Sequence, residues 1–249
     1  MKQSNGRRPV TGLGRTSPGG SNTPDAAFRS PLPKELREEG EPQALFYRWL
    51  AEGEHEQQDF KETISSSRKI ARTLCAFANT RGGRILIGVR DNRSLRGIQV
   101  EEEQHMMEAA AVYFCKPALE IQCRRIEIGR KVLLVVSVDA AREKPVYAMG
   151  DDDKWWVHIR VGDKTLLASK TVVDALHQSG AGEGGLIRMG TKEEGLLRYL
   201  AEHRRVTLKE FARMMNISTW RARRILAGLI SAGIIQVHAG AREEYYSLV

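Results

Sequence analysis

The feature that most constrains the fold is an apolar helical pattern that ends in a pair of glycines and continues as a strand. Ile70, Leu74 and Phe77 recur at the spacing of one helix face. Gly82 and Gly83 follow, and glycine readily adopts the positive φ angles that a sharp turn from helix to strand requires. An alternating apolar run comes next. The pattern predicts a helix that packs on a β-sheet through a tight connection.

Helices and strands are predicted to be mixed along most of the chain, which is typical of an α+β fold with a mixed sheet. One predicted strand contains Trp155 and Trp156, of which one should face the core and the other the solvent. The predicted helices cover residues 44–50, 67–79, 101–114 and 169–178, and the predicted strands cover residues 57–61, 84–89, 95–98, 120–128, 131–138, 146–149 and 155–161.

Residues 191–249 have the pattern helix, helix, turn, helix, hairpin, which predicts a winged helix-turn-helix. Thr191–Glu194 and Thr207–Glu210 have the spacing of a capping box, and Ser218 is the expected cap of the third helix. One apolar stripe of this third helix should be buried and the opposite side free. The stripe comprises Ala222, Ile225, Leu226, Leu229 and Ile230, and the free side comprises Trp220, Arg221, Arg224 and Gly228, with Arg223 at its flank.

The domain organisation follows from the changes in apolar periodicity. Residues 1–42 are rich in Gly, Pro, Ser and basic residues and should form a disordered tail, because they cannot bury enough surface to offset their ordering entropy. Residues 43–179 are predicted to form the α+β domain, the Gly-rich residues 180–190 a linker, and residues 191–249 the winged helix.

Several classes of protein are excluded by what the sequence lacks. It has no apolar run long enough to cross a membrane and no apolar leader, which favours a cytoplasmic protein. Its three cysteines lack CxxC spacing and are predicted to be reduced thiols rather than disulfides or a zinc site. The absence of a P-loop argues against an ATPase.

The charge distribution indicates a polyanionic partner. The formal net charge is +8, and residues 191–249 carry ten basic against six acidic residues, which is +4. Clustered positive charge attracts nucleic acid through counterion release. Side chains near the start of a recognition helix are placed to contact duplex DNA, while the alternative is a protein-docking or dimerising winged helix with a solvated face. The predicted contacts are Trp220, Arg221, Arg223 and Arg224.

A second basic cluster is predicted on the hairpin around Gly129. It consists of Arg124, Arg125, Arg130 and Lys131. These cations are predicted either to contact phosphates or to form a solvated hairpin tip.

Two motifs of the α+β region together resemble the Schlafen/AlbA-like domain family. The first is Gly53-Glu54 followed by Asp59-Phe60-Lys61, where the family usually has a Glu in place of Asp59. The second is Ala76–Gly83 (AFANTRGG) with Ile87–Asp91 (IGVRD). The resemblance extends over residues 45–178 and implies an AlbA-like fold. Bacterial relatives commonly join this domain to a C-terminal winged helix and are regarded as DNA-binding regulators.

The resemblance also implies a different chemistry. Some eukaryotic Schlafens cleave RNA with three acidic residues, which by motif position correspond to Glu54, Asp59 and Asp91. Three converging carboxylates could hold Mg²⁺ or Mn²⁺. The alternative is a set of salt bridges, in which Glu54 and Asp59 pair with Lys61 or nearby arginines and Asp91 begins a turn.

The sequence therefore favours a cytoplasmic DNA-binding protein, a transcriptional regulator that needs no cofactor to bind and does not contact a membrane. Self-association is expected, because AlbA-like domains typically present a paired surface to nucleic acid. Two alternatives remain: a Mg²⁺- or Mn²⁺-dependent nuclease that acts on RNA through Glu54, Asp59 and Asp91, and a protein-interaction adaptor.

Overall fold

The structure, a computed structural model, describes residues 42–180 and 189–249. Apart from Pro42, the predicted tail lies outside these residues, and so does most of the predicted linker. The helices within the described ranges are α1 (Pro42–Glu52), α2 (Ser67–Asn79), α3 (Val100–Tyr113), α4 (Lys170–Gly180), α5 (Thr191–His203), α6 (Leu208–Met214) and α7 (Thr219–Ser231). The strands there are β1 (Gln58–Lys61), β2 (Gly83–Ile87), β3 (Cys115–Lys116), β4 (Ile121–Ile128), β5 (Lys131–Val138), β6 (Tyr147–Met149), β7 (Trp155–Trp156), β8 (His158–Val161), β9 (Lys164–Leu167), β10 (Ile235–His238) and β11 (Tyr245–Leu248).

A mixed four-stranded sheet in the order β1-β2-β5-β4 organises the first part of the fold. β1 runs parallel to β2, and the other two pairings are antiparallel. Alternate residues of β2 and β5 enter two different cores, as the period of a strand requires. Ile85 and Ile87 pack towards α2 and α3, whereas Leu86 packs with Phe46 and Trp49 of α1. The predicted α+β fold with a mixed sheet is confirmed.

The junction between α2 and β2 explains why the glycine pair occurs there. Ser66 caps α2 by accepting a hydrogen bond from the Lys69 amide at 3.4 Å. Gly82 has a φ of +73°, and a Cβ atom on it would lie 2.8 Å from the Val138 carbonyl oxygen. A Cβ atom on Gly83 would lie 2.5 Å from the Phe77 ring. The backbone therefore turns against β5 and Phe77 at distances that leave no room for a side chain.

Two smaller sheets complete this part and correct three predictions. β3, β6 and β7 form one antiparallel sheet, and β8 pairs with β9. The predicted strand over residues 155–161 is thus divided between two sheets. Residues 95–98 are not a strand, because only an isolated bridge joins Leu95 to Val89. Trp155 and Trp156 are both exposed, at 37% and 40%, because β7 is a two-residue strand at the edge of its sheet.

The C-terminal residues form three helices followed by the antiparallel hairpin β10–β11, around a core of their own. The capping box at Thr207 is confirmed, since its hydroxyl accepts from the Glu210 amide and the Glu210 carboxylate accepts from the Thr207 amide. The first helix begins differently from the prediction: Thr191 is its first residue, and the amide of the preceding Gly190 donates to Glu193 at 3.1 Å.

Helix α4 covers one side of α7. The hydroxyls of Ser179 and Ser231 lie 3.1 Å apart, and a Cβ atom on Gly228 would lie 3.7 Å from the Gln178 side chain. Ala227 is fully buried. The prediction that Gly228 belongs to the free side of the helix was therefore wrong, because the C-terminal half of α7 is buried on two sides.

Candidate nucleic-acid interface

The exposed part of α7 is its first two turns. Ser218 caps the helix by accepting from the Arg221 amide at 3.2 Å. Trp220 is 60% exposed, and the side chains of Arg221 and Arg224 are also exposed. The Arg224 guanidinium lies 5.0 Å from the centroid of the Trp220 ring, a distance that allows a cation–π interaction. These turns present two cations and an indole ring on a helix whose opposite face is buried.

Arg223 differs from its neighbours because it is half-buried. Its charge acts on the hydroxyl of the buried Tyr246 in β11. Burial raises the pKa of Tyr246, and the Arg223 charge opposes that shift. The hydroxyl also donates to the Glu244 carboxylate. Arg223 is thus less available to a ligand than Arg221 and Arg224.

The four cations of the β4–β5 hairpin do not share one face. Arg124 and Arg125 are consecutive residues of an edge strand, so their side chains point to opposite sides of the sheet. Arg125 is engaged by Glu127 at 3.0 Å and Glu101 at 3.7 Å. At the turn, the Lys131 ammonium donates to the Leu95 carbonyl oxygen, while Arg130 is exposed.

The three carboxylates suggested as a metal site are held by different partners. Glu54 accepts a hydrogen bond from the Phe60 amide at 3.0 Å. Asp59 is 5% exposed and lies 2.5 Å from the Lys61 ammonium and 3.3 Å from the Arg160 guanidinium. Asp91 is exposed in the turn after β2.

In residues 42–180 and 189–249, no group of three His, Cys, Asp or Glu side chains is arranged to hold a metal ion. Three carboxylates bind a divalent cation when they converge on it, whereas here two cationic side chains already occupy Asp59. The arrangement does not fit a three-carboxylate metal centre. The catalytic and metal-binding roles of Glu54, Asp59 and Asp91 stay predictions.

Arg160 is the residue whose importance sequence reasoning missed. It is 3% exposed and donates to the carbonyl oxygens of His55 and Gln58 at 3.0 and 3.2 Å, and to the Thr165 hydroxyl at 3.1 Å. Its guanidinium also lies 4.9 Å from the centroid of the Phe77 ring. The signal in the sequence was an arginine between the apolar residues of a strand, which is a place where a charge is buried only with partners.

Asn79 has a comparable role at the end of α2. Its amide nitrogen donates to the carbonyl oxygens of Val146 and His158 at 2.8 and 2.9 Å, and its amide oxygen accepts from the Val146 amide at 2.8 Å. The side chain is 2% exposed. Asp59 of the first motif and Asn79 of the second motif therefore each bond to segments that are distant in sequence.

None of the helices in the described ranges has the length and apolar character that a bilayer-spanning helix needs. The cytoplasmic location stays a prediction.

Comparison with known protein families finds a similarity in the first part of the fold. The family model described as Schlafen, AlbA_2 matches residues 54–169, from Glu54 of the first motif to the residue before α4. No curated protein sequence matches the chain.

Two solved structures are similar at low identity. The N-terminal domain of a RecG-related protein from Nitrosomonas europaea is 24% identical with a TM-score of 0.35, over 42% of this chain and 80% of that one. The DIP2311 protein from Corynebacterium diphtheriae is 15% identical with a TM-score of 0.37, over 78% of this chain and 34% of that one. The Schlafen, AlbA_2 family is associated with nucleic acid, and residues 54–169 of this chain are similar to it.

Proposed function

We propose that this chain is a duplex-DNA-binding protein that acts as a transcriptional regulator, with an AlbA-like domain over residues 43–179 and a winged helix over residues 191–249. The observation that carries the proposal is the pair of exposed arginines and the exposed tryptophan on the first two turns of α7. The nucleic-acid association of the Schlafen, AlbA_2 family supports it.

The geometry of α7 suits insertion into a major groove. A B-DNA major groove admits an α-helix, and recognition helices contact base edges with their N-terminal residues. On α7 this is the exposed part, while Leu226 and Leu229 anchor the remainder in the core. The first turn of α7 contains no acidic residue, whereas α5 and α6 have acidic residues there. Phosphates approaching the start of α7 therefore meet no carboxylate on that turn.

The contact between Arg224 and Trp220 reduces the cost of binding. A long arginine side chain loses rotamer freedom when a ligand fixes it. Stacking on the Trp220 ring restricts the guanidinium before binding, so that less freedom remains to be lost. We assign Arg221 and Arg224 to base or phosphate contacts and Trp220 to their orientation.

The β4–β5 hairpin is the second proposed contact. Arg124 and Arg130 make no ion pair with any residue that the structure describes, so they are available to phosphates. Arg125 and Lys131 would first have to leave their present partners. AlbA-like domains typically present a paired surface to nucleic acid, and a second copy of the chain would add its own exposed cations to that surface. We therefore propose self-association, which sedimentation velocity measures directly.

Fluorescence anisotropy with labelled duplex DNA tests the assignment. Arg221→Ala and Arg224→Ala should each weaken binding roughly 5- to 150-fold, which corresponds to about 1–3 kcal/mol for an arginine that contacts a base. Lys69→Ala is the matched control, because it removes one exposed cation from α2 and should leave affinity close to that of the wild type. Unchanged affinity in both arginine variants, with both proteins folded, would refute the role of α7.

A further inference from the structure

Where β3 pairs with β6, the sheet β3–β6–β7 has one face in the core and the other open to solvent. Cys115 and Ala148 are cross-strand partners, and both are buried. Side chains alternate between the two faces of a strand, so the flanking positions project to the opposite face. This outer face consists of Lys116, Tyr147, Met149 and Trp155.

The outer face is aromatic and carries a cation. Trp155 and Lys116 are exposed, and Tyr147 and Met149 are half-buried. The Lys116 ammonium lies 6.0 Å from the centroid of the Trp155 ring. At the far side, the Tyr147 hydroxyl lies 3.5 Å from Nε2 of His177. An indole ring and a phenol ring are therefore accessible next to a lysine that can meet a phosphate.

The neighbouring Trp156 makes contacts within the turn that joins β6 and β7. Trp156 belongs to the row of Ala148, and its indole N–H donates to the Asp152 carboxylate at 3.0 Å. Its ring packs against Gly150, where a Cβ atom would lie 2.7 Å from it. Trp156 thus fixes the turn between β6 and β7, while the N–H of Trp155 has no protein partner among the described residues.

The acidic turn beside the outer face does not carry an unbalanced negative charge. Of the aspartates at 151–153, the first pairs with Arg72 at 2.7 Å and the last with Arg68 at 2.6 Å. The middle one lies 3.8 Å from the Lys154 ammonium. Each carboxylate has its own cation, so these aspartates do not offset the charge of Lys116.

We propose that the outer face binds the unpaired bases of a single-stranded nucleic acid, with Trp155 and Tyr147 as stacking surfaces and Lys116 as the phosphate contact. Aromatic side chains stack on bases of any sequence, and single-strand sites combine such rings with basic residues. Strand geometry places the Cα atoms of Tyr147 and Trp155 roughly 8 Å apart, which allows each ring to stack on a separate splayed base. Bases inside a duplex are stacked on one another and cannot reach these rings. The inference does not depend on duplex binding by α7.

Anisotropy titrations of the full chain with labelled oligo(dT) and oligo(U) test the proposal and distinguish DNA from RNA. Trp155→Ala should weaken binding of the preferred oligonucleotide about 5- to 150-fold, the loss expected for one stacked base, and should leave duplex binding unchanged. Trp155→Phe, which keeps a ring, should retain most of the affinity. Tyr47→Ala is the matched control, because Tyr47 is an exposed aromatic residue of α1 that lies outside the outer face.

Lys116→Gln gives an independent test that leaves both rings in place. It should reduce the slope of log affinity against log salt by about 0.7, the value for one phosphate contact to a single strand. This variant decides the question if Trp155→Ala does not fold. The proposal is overturned if the wild type binds neither oligonucleotide, or if folded Trp155→Ala and Lys116→Gln bind like the wild type. It is also overturned if Trp155→Ala mainly dissociates an oligomer in sedimentation velocity, because the face then contacts a second copy.

Discussion

Replacing Arg160 with methionine tests whether Asp59 of the first motif and its partner Arg160 have a structural role. Arg160 and Asp59 form a buried ion pair, and the guanidinium also holds the backbone that precedes β1. Methionine keeps an unbranched apolar chain that can lie against Phe77, but it removes all five contacts of the guanidinium described above. The perturbation therefore separates the charge and hydrogen bonds from the packing.

The expected loss of stability follows from what each partner retains. Breaking a buried ion pair by removing one partner typically costs about 3–5 kcal/mol. Asp59 keeps Lys61, and the carbonyl oxygens of His55 and Gln58 still accept from each other's amides at 3.1 Å. We therefore expect the lower end of the range, about 3 kcal/mol for Arg160→Met. Asp59→Asn keeps the shape and the other acceptors of Arg160, so it should cost less, about 2 kcal/mol.

Urea denaturation followed by far-UV circular dichroism measures both free energies of unfolding. A loss of about 3 kcal/mol corresponds to a decrease in melting temperature of about 6–12 °C for a chain of this size. Asp91→Asn is the control, because this exposed carboxylate should change stability by less than about 0.5 kcal/mol. The reasoning is refuted if Arg160→Met is as stable as the wild type, or if Asp59→Asn is more stable. If Asp59→Asn increases the free energy of unfolding, the carboxylate behaves like a residue that serves ligand binding at the expense of stability.

Three further predictions concern other parts of the domain. Asn79→Ala should destabilise the protein by about 2–4 kcal/mol, since it leaves two carbonyl oxygens and one amide without their buried partner, and thermal melting checks this. Gly82→Ala should cost at least about 2 kcal/mol more than Gly129→Ala in the same assay, because both have positive φ but only Gly82 is crowded by backbone; equal costs would contradict the crowding argument. Burial raises the pKa of the Glu103 carboxyl above its ordinary value of 4.5. The folded state therefore binds a proton more tightly than the unfolded state does. The free energy of unfolding decreases as the pH rises from the ordinary pKa to the raised one. Glu103→Gln should remove this part of the fall, which denaturation at pH 4 to 7 measures, and an unchanged pH profile would show that Glu103 does not contribute.

The main elements of the fold were predictable because their patterns are long. The helix that ends at Asn79 and the hairpin around Gly129 extend over many residues, so their periodicity is unambiguous. Ser218 and Thr207 were predictable as caps for a local reason, since a cap depends only on the next three residues. Periodicity did not predict the short elements. The two-residue β7 is defined by its partner β6 and not by a pattern of its own.

The exposure of the candidate site residues was predictable only where the apolar pattern of a single helix determines it. The apolar stripe of α7 correctly indicated that Trp220, Arg221 and Arg224 are exposed. It could not indicate that α4 covers Gly228, because that contact joins helices distant in sequence. The pairing of Asp59 with Arg160 was hidden for the same reason, since 101 positions separate the two residues. Motif position compares residues by their place in the sequence, whereas the partners of a charged side chain are set by the folded structure.

Mapping where duplex DNA contacts the full chain tests directly whether α7 is the DNA-binding element. Duplex substituted with 5-bromouracil can be crosslinked to the wild-type protein by ultraviolet light, and the modified peptides identified by mass spectrometry. We expect crosslinks within Thr219–Arg224 at the start of α7, and their loss in Arg221→Ala combined with Arg224→Ala. Crosslinks confined to other segments, with none on α7, would contradict this expectation and would show that this helix is not the DNA-binding element.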